Sequence, residues 1–174
     1  MTIPADHPKI KPAKIGVILA NLGTPDATDY WSMRKYLSQF LSDKRVVDYS
    51  AWLWQPLLQG IILTRRPFSS GEAYRSIWNN ELNESPLLTT TRLQANAVKK
   101  EVKKNYGDDI IVDFAMRYGN PSTESVIKSM KDQGVEKIVF FPLYPQYAGP
   151  TTATANDEAF RTLMKMNWQP SIRT

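Results

Sequence analysis

Ile15-Gly16-Val17-Ile18-Leu19-Ala20, running on into Asn21-Leu22-Gly23-Thr24-Pro25, is the stretch that decides how this chain is built. Its apolar residues do not alternate with polar ones, which is the pattern of a strand covered on both faces inside a parallel sheet. Two further runs read the same way, Ile110 to Met116, interrupted only by Asp113, and Ile138 to Phe141. Between them the apolar spacing changes to three and four residues, as on a helix face. Tyr30, Met33, Leu37 and Leu41 form one such stripe, with Asp26 or Asp29 available as a cap. Ser85-Pro86 opens a second, carrying Leu93, Ala97, Val98 and Val102 and stopping at Gly107. Val126, Ile127 and Met130 make a third, ending at Gly134; Phe160, Leu163 and Met164 make a fourth, on a helix expected from Thr152 to Met166. Strand, helix, strand, helix, strand predicts an α/β fold with a parallel sheet flanked by helices. The expected organisation is a tail over residues 1–13 and one lobe over 14–174, with Ser171 to Thr174 approaching a further strand.

Composition removes several chemistries. The 174 residues hold no cysteine, so no disulfide, thiolate zinc site, cysteine nucleophile or iron–sulfur cluster is built from this chain. The single histidine, His7, sits in the proline-bearing leader, which leaves neither a serine triad nor a His-rich metal site. A net charge of +5, with 22 basic and 17 acidic residues and no basic arm, does not point to nucleic acid. Met1 to Lys14 lacks the apolar core of a signal peptide, so a cytoplasmic location is expected. The most apolar segment, Ala51 to Leu63, is broken by Gln55, Pro56, Gln59 and Gly60 and falls short of the roughly 20 residues a spanning helix needs. With Arg65-Arg66 behind it, it reads as an apolar patch with a basic edge that touches a membrane surface, or else as a helix packed against another lobe.

In open parallel sheets ligands bind beyond the carboxyl ends of the strands. That rule selects Asn21 to Pro25, Arg117 to Pro121 and Pro142 to Tyr147, which together offer one cation, phenols, amides and apolar surface. Such a lining suits a large, flat, partly anionic ligand better than a phosphate, and neither G-x-G-x-x-G nor a P-loop occurs. Plainer readings exist for each feature. Gly23-Thr24-Pro25 makes a turn, Arg117 pairs with a carboxylate such as Asp113 or Glu124, and Tyr144 and Tyr147 are core rings. The Lys99 to Lys104 run is a solvated helix face, and Asn83-Glu84-Ser85 is a glycosylation signal without a secretory route.

Four strings in order carry a family resemblance: Asn21-Leu22-Gly23-Thr24-Pro25, Ser85-Pro86-Leu87, Met116-Arg117-Tyr118-Gly119-Asn120-Pro121, and Leu143-Tyr144-Pro145-Gln146-Tyr147 with Thr151-Thr152 behind. From about Lys14 onward the chain resembles the ferrochelatases. The resemblance implies one lobe, the N-terminal one, of a two-lobed chelatase fold with a porphyrin cleft between the lobes, in which ferrous iron, the substrate metal, enters protoporphyrin to make haem. It implies that Asn21 and Leu22 lie against one face of the macrocycle, that Arg117 and Tyr118 project into the cleft, that Arg66, Tyr74 and Ser85 hold the propionates, and that Tyr144 and Thr151 line the deeper wall. The family's histidine and its partner glutamate belong to the second lobe, so no catalytic or metal-ligating residue is expected here, Arg117 and Tyr118 being cleft candidates only.

Departures from the family pattern refine this. Gly149 stands where cluster-bearing members have a cysteine, and Leu22 where coproporphyrin-using relatives have a tyrosine. The long Trp52 to Arg66 lip is similar to that of the protoporphyrin-type branch. Two other functions fit less well: a chelatase for another tetrapyrrole, which would hold metal with a histidine pair, and a non-catalytic tetrapyrrole-binding module. The expected partners are a porphyrin, a C-terminal lobe and possible contact of Ala51 to Leu63 with the inner membrane surface.

Overall fold

The structure, a computed structural model, describes residues 13–174; His7 and all but the last residue of the expected tail lie outside the described residues. Four parallel strands form one sheet in the order β2-β1-β3-β4. They are β1 (Lys14–Thr24), β2 (Ile110–Gly119), β3 (Val135–Pro142) and the short β4 (Ser171–Arg173). The longest apolar run takes the central position because that strand has neighbours on both edges and residues such as Ile18 and Ala20 are removed from water.

Helices α1 (Tyr30–Leu41), α2 (Ala51–Leu57), α3 (Leu63–Ile77) and α4 (Pro86–Tyr106) fill the connection from β1 to β2; α5 (Thr123–Asp132) and α6 (Thr154–Met164) link β2, β3 and β4. Helices α5 and α6 cover one face, where Val126, Ile127, Met130, Ala155, Ala159 and Leu163 close over Ile18, Ala20, Ala115, Ile138 and Phe140. Asn21, one residue past Ala20 and so turned the other way, donates to the Thr91 hydroxyl of α4 at 3.0 Å, which puts α4 on the opposite face.

Three details differ from the sequence expectation. Helix α4 buries Thr91 and Ala95 and leaves Leu93 exposed, because small residues let a helix sit close to the backbone of a sheet. Helix α6 starts at Thr154, behind a π-helical turn over Gly149–Ala153, and buries Ala155, Ala159, Thr162 and Leu163 while Phe160 and Met164 point outward. Strand β3 is covered on one face only: Ile138 and Phe140 are buried, whereas Val139 and Phe141 are exposed, because α4 lies over β1 and β2 and no described helix reaches across. The α1 and α5 stripes and the Asp29 cap, which accepts from the N–H groups of Trp31 and Ser32, are as expected.

The segment expected as a lip folds as α2, a π-helical turn over Leu58–Ile62, and the start of α3. Leu58 and Leu63 are buried, and the Trp54 indole N–H donates to the Leu41 carbonyl at 2.7 Å, so these three leave the surface patch. Trp52, Leu53, Leu57 and Ile61 stay exposed. Pro67 within α3 has no N–H for the carbonyl of Leu63. That carbonyl accepts instead from the Tyr30 hydroxyl at 3.0 Å and from Arg34 Nη1 at 2.9 Å, which ties α3 to α1.

Candidate functional site

The carboxyl ends of β1, β2 and β3 meet at one edge, as the parallel register requires. Their approach is unusually close at one point. Gly23, opposite Tyr118, has φ +107°, and a Cβ there would stand 1.8 Å from the Tyr118 carbonyl oxygen. Glycine removes the atom that would hold the two strands apart. The loops beyond are bound to each other: Asn120 Nδ2 donates to both oxygens of Asp26, at 2.8 and 3.0 Å, and the Gly119 N–H donates to Gln39 at 2.9 Å.

At this edge the polar centre is Asp43, two residues past the end of α1. One of its oxygens, Oδ2, accepts from Arg117 Nη2 at 2.5 Å, from the Tyr118 hydroxyl at 2.9 Å and from the Thr154 hydroxyl. The other, Oδ1, accepts from the Arg45 N–H at 2.8 Å. Arg117 further donates from Nε to Thr154 at 2.7 Å, lies 3.4 Å from Glu158 and stands 4.4 Å over the Tyr118 ring. The Arg117 and Asp43 side chains are only 10% and 8% exposed, so this pair is largely shielded from solvent. Burial by itself would raise the Asp43 carboxyl, but the donors from Thr154, Arg45, Tyr118 and Arg117 together hold it below its ordinary value of 3.8. The group faces a cavity of about 940 Å³ whose charged walls include Lys44, Arg45, Glu124, Asp157 and Arg161.

Beside it lies an aromatic cluster. Tyr36, Tyr118 and Met33 form its buried part, with Leu22, Phe40 and Tyr74 packed against them. The Phe40 ring meets Tyr118 edge-on at 5.2 Å, and Tyr74 meets Tyr36 edge-on at 6.2 Å. Burial is the largest influence on these phenols and raises Tyr36 and Tyr118 well above the ordinary tyrosine range, while Tyr144 is pushed up to about 12 despite the opposing charge of Arg117. All three are therefore neutral O–H groups at physiological pH. The Tyr144 hydroxyl is buried and has no hydrogen-bond partner, and the same holds for the Thr24 hydroxyl.

The residues singled out in the sequence fall into two sets. Leu22, Tyr74 and Tyr118 share one apolar cluster with the Arg117 guanidinium over the Tyr118 ring, whereas Tyr144 packs against the other core cluster, beneath α5 and α6. Asn21 is held by Thr91 on one side, and its Oδ1 accepts from the Leu22 N–H at 2.9 Å. Thr151 lies in the π-helical turn, its hydroxyl donating to the Ala148 carbonyl at 3.2 Å. Arg66 is exposed on α3 and among the described residues makes no ion pair. Ser85 caps α4, accepting from the Leu88 N–H at 3.2 Å, and is 2% exposed. The partners of Arg117 are Asp43 and Glu158, not Asp113 or Glu124.

Asp43, Thr154 and Glu158 were not legible as site residues. A carboxylate just after a helix reads as an ordinary stop, and nothing in one sequence marks it as buried. Glu84 is similar: it is 7% exposed, accepts from Thr89 at 2.7 Å and from Arg92 at 2.8 Å, and so braces the turn that presents Ser85. Among the described residues no group of three or more His, Cys, Asp or Glu side chains is placed to hold a metal ion.

The family model for ferrochelatase matches residues 14–174. The chain is 62% identical over 172 residues to a ferrochelatase from Rhodobacter capsulatus, covering 98% of this chain and 49% of that protein. It is 56% identical to ferrochelatases from Agrobacterium fabrum, over 99% of this chain and 49% of the relative, and from Rhizobium etli, over 98% and 49%. The chain thus spans about half the length of the curated relatives it matches.

Proposed function

The chain belongs to the ferrochelatase family, and from that premise we propose that it forms one wall of a porphyrin cleft in which ferrous iron enters protoporphyrin IX to give protohaem, the lyase step of haem biosynthesis. The observation that carries the reading is the meeting of Leu22, Tyr74 and Tyr118 in one apolar cluster at the carboxyl ends of the strands. A porphyrin is a flat apolar disc with carboxylates along one edge, so its face calls for aliphatic and aromatic contacts and its rim for cations and hydroxyls.

Within this reading Leu22 bears on the ring face, with Asn21 fixing its backbone. Tyr144 supplies a neutral O–H, and Thr151 lies on the same wall. Metal entry requires two pyrrole protons to leave and the nitrogen lone pairs to tilt out of the ring plane, which a shaped cleft drives with binding energy. Tyr36, Tyr118 and Tyr144 hold their protons too firmly to accept others, so the part of these phenols is orientation and exclusion of water. Iron is the substrate metal, a second lobe supplies the opposite wall, and no cofactor or iron–sulfur cluster is needed.

Arg66 and Tyr74 lie eight residues apart on α3, about two turns, and are the propionate contacts in this proposal, with Ser85 supporting them as the cap of the adjoining helix. Replacing Arg66 by Ala is expected to weaken binding of protoporphyrin by about 1.5 kcal/mol, close to tenfold, and binding of its dimethyl ester hardly at all. Titration of both ligands by quenching of porphyrin fluorescence measures this; equal losses for the two would remove the propionate role.

We further propose that the lip rests on a membrane surface. Trp52, Leu53, Leu57 and Ile61 are exposed together, and Arg65 and Arg66 follow. No helix among the described residues is long and apolar enough to cross a membrane. Leu53→Gln with Ile61→Gln should lower co-sedimentation with anionic vesicles without changing the circular dichroism spectrum. Unaltered sedimentation would assign the patch to contact with protein.

A further inference from the structure

We propose that Asp43 is a positioning residue of the cleft, fixing the direction of Arg117 and Tyr118 from the root of the lip. The proposal rests on the ferrochelatase reading. Four donors converge on this one carboxylate: Arg117 and Tyr118 at the end of β2, Thr154 at the start of α6 and, locally, the N–H of Arg45. Arg117 and Thr154 bridge the same elements, and both do so through bonds to Asp43. Arg117 is a long side chain with several rotatable bonds, and Asp43, Thr154 and Glu158 together remove that freedom. The Tyr118 hydroxyl points its proton at Asp43 and is therefore held as a donor.

The backbone of the same residue starts the lip. The Asp43 carbonyl accepts from the N–H groups of both Val46 and Val47 at 2.9 Å, turning the chain away from α1 toward α2. One residue thus sets the turn that launches the lip and the orientation of the cation at the strand edge. Because the carboxyl is held below 3.8, it stays ionised throughout the physiological range and acts as a fixed anion.

The test is steady-state iron insertion into protoporphyrin by the protein expressed from its gene, carrying Asp43→Asn, Asp43→Glu, Arg117→Lys and the Asn–Lys and Glu–Lys double substitutions. Asparagine keeps the size of the side chain and loses the charge. A misplaced cation at the reacting centre is expected to lower kcat on the order of 10²-fold. KM for porphyrin should stay within about threefold, since the apolar face is untouched. Glutamate should fall between aspartate and asparagine. With Lys at position 117 the forked contacts are already gone, so adding Asp43→Asn should cost under about threefold. The same loss in both backgrounds, a change confined to KM, a kcat near that of the wild type, or disappearance of one limb of the kcat–pH profile would each overturn the proposal. If the Asn variant fails to fold, Asp43→Glu in the two backgrounds carries the same comparison. A wild type that neither binds protoporphyrin nor inserts iron when assayed with a second lobe present would remove the ferrochelatase reading and this inference together, whereas additive losses on an active wild type would remove this inference alone.

Discussion

Purified as the 174-residue chain and given ferrous iron and protoporphyrin without oxygen, the protein is expected to bind the porphyrin yet insert metal about 10² to 10⁴-fold more slowly than a full-length ferrochelatase. Among the described residues at this edge, the buried phenols, Asp43 and Glu158 are each unfit to accept protons near neutral pH. Tyr36 and Tyr118 are raised beyond the ordinary tyrosine range and Tyr144 to about 12, chiefly by burial, so none of them ionises at pH 7. Asp43 is shifted the other way and is a poor base. Glu158 is engaged by Arg117 and Arg161, and the sole histidine, His7, is outside the described residues. Distortion of a macrocycle also needs contacts on both of its faces, and one wall supplies one. Anaerobic stopped assays read at the haem band measure the rate. Turnover equal to the full-length control and indifferent to His7→Ala would show that the proton acceptor lies among the residues described above.

Gly23→Ala is expected to be the most damaging alanine substitution among the described glycines. The new Cβ would stand 1.8 Å from the Tyr118 carbonyl oxygen, 2.8 Å from its carbonyl carbon and 2.9 Å from its nitrogen, all backbone atoms that cannot swing aside. A φ of +107° costs an alanine a further ~1–3 kcal/mol. Relief requires β1 and β2 to separate where the Arg117–Asp43 group is anchored. A loss above about 4 kcal/mol is expected, against a total of only about 5–15 for a domain. Thermal melting should fall by at least about 8–16 °C or lose its cooperativity. Gly60→Ala is the internal control, since nothing lies within 4 Å of its Cβ. There the methyl group should stabilise by about 0.4–1 kcal/mol through the unfolded chain. Equal melting temperatures for the two variants would mean that the strands are not held this closely in solution.

The sheet was legible because its signal is local. Apolar runs starting at Ile15, Ile110 and Ile138 became parallel strands with their motif loops on one edge. Helix faces were less legible. Leu93, Phe160 and Met164 carry the hydrophobic signal but face outward, while Thr91, Ala95, Ala155 and Ala159 make the close contacts. Packing against a flat sheet selects for small size, which hydrophobic periodicity does not measure. The exposed face of Val139 and Phe141 was hidden for a similar reason, since an apolar run shows the demand for cover and not its source. At the site, the tyrosines and Arg117 were visible as residue types at strand ends. Asp43 was not, because its importance comes from Arg117, Tyr118 and Thr154, which lie 74 to 111 residues away in the chain.

Pro67 ordinarily marks a weak joint in a helix, because a missing N–H leaves the backbone free to bend. Here the freed Leu63 oxygen is gripped by Tyr30 and Arg34, and Gln59 reaches Ser38 across the same seam. The lip is thus bound to α1 at three levels, through the Leu63 carbonyl, Gln59 and the Trp54 indole, and the last of these meets Leu41 two residues before Asp43.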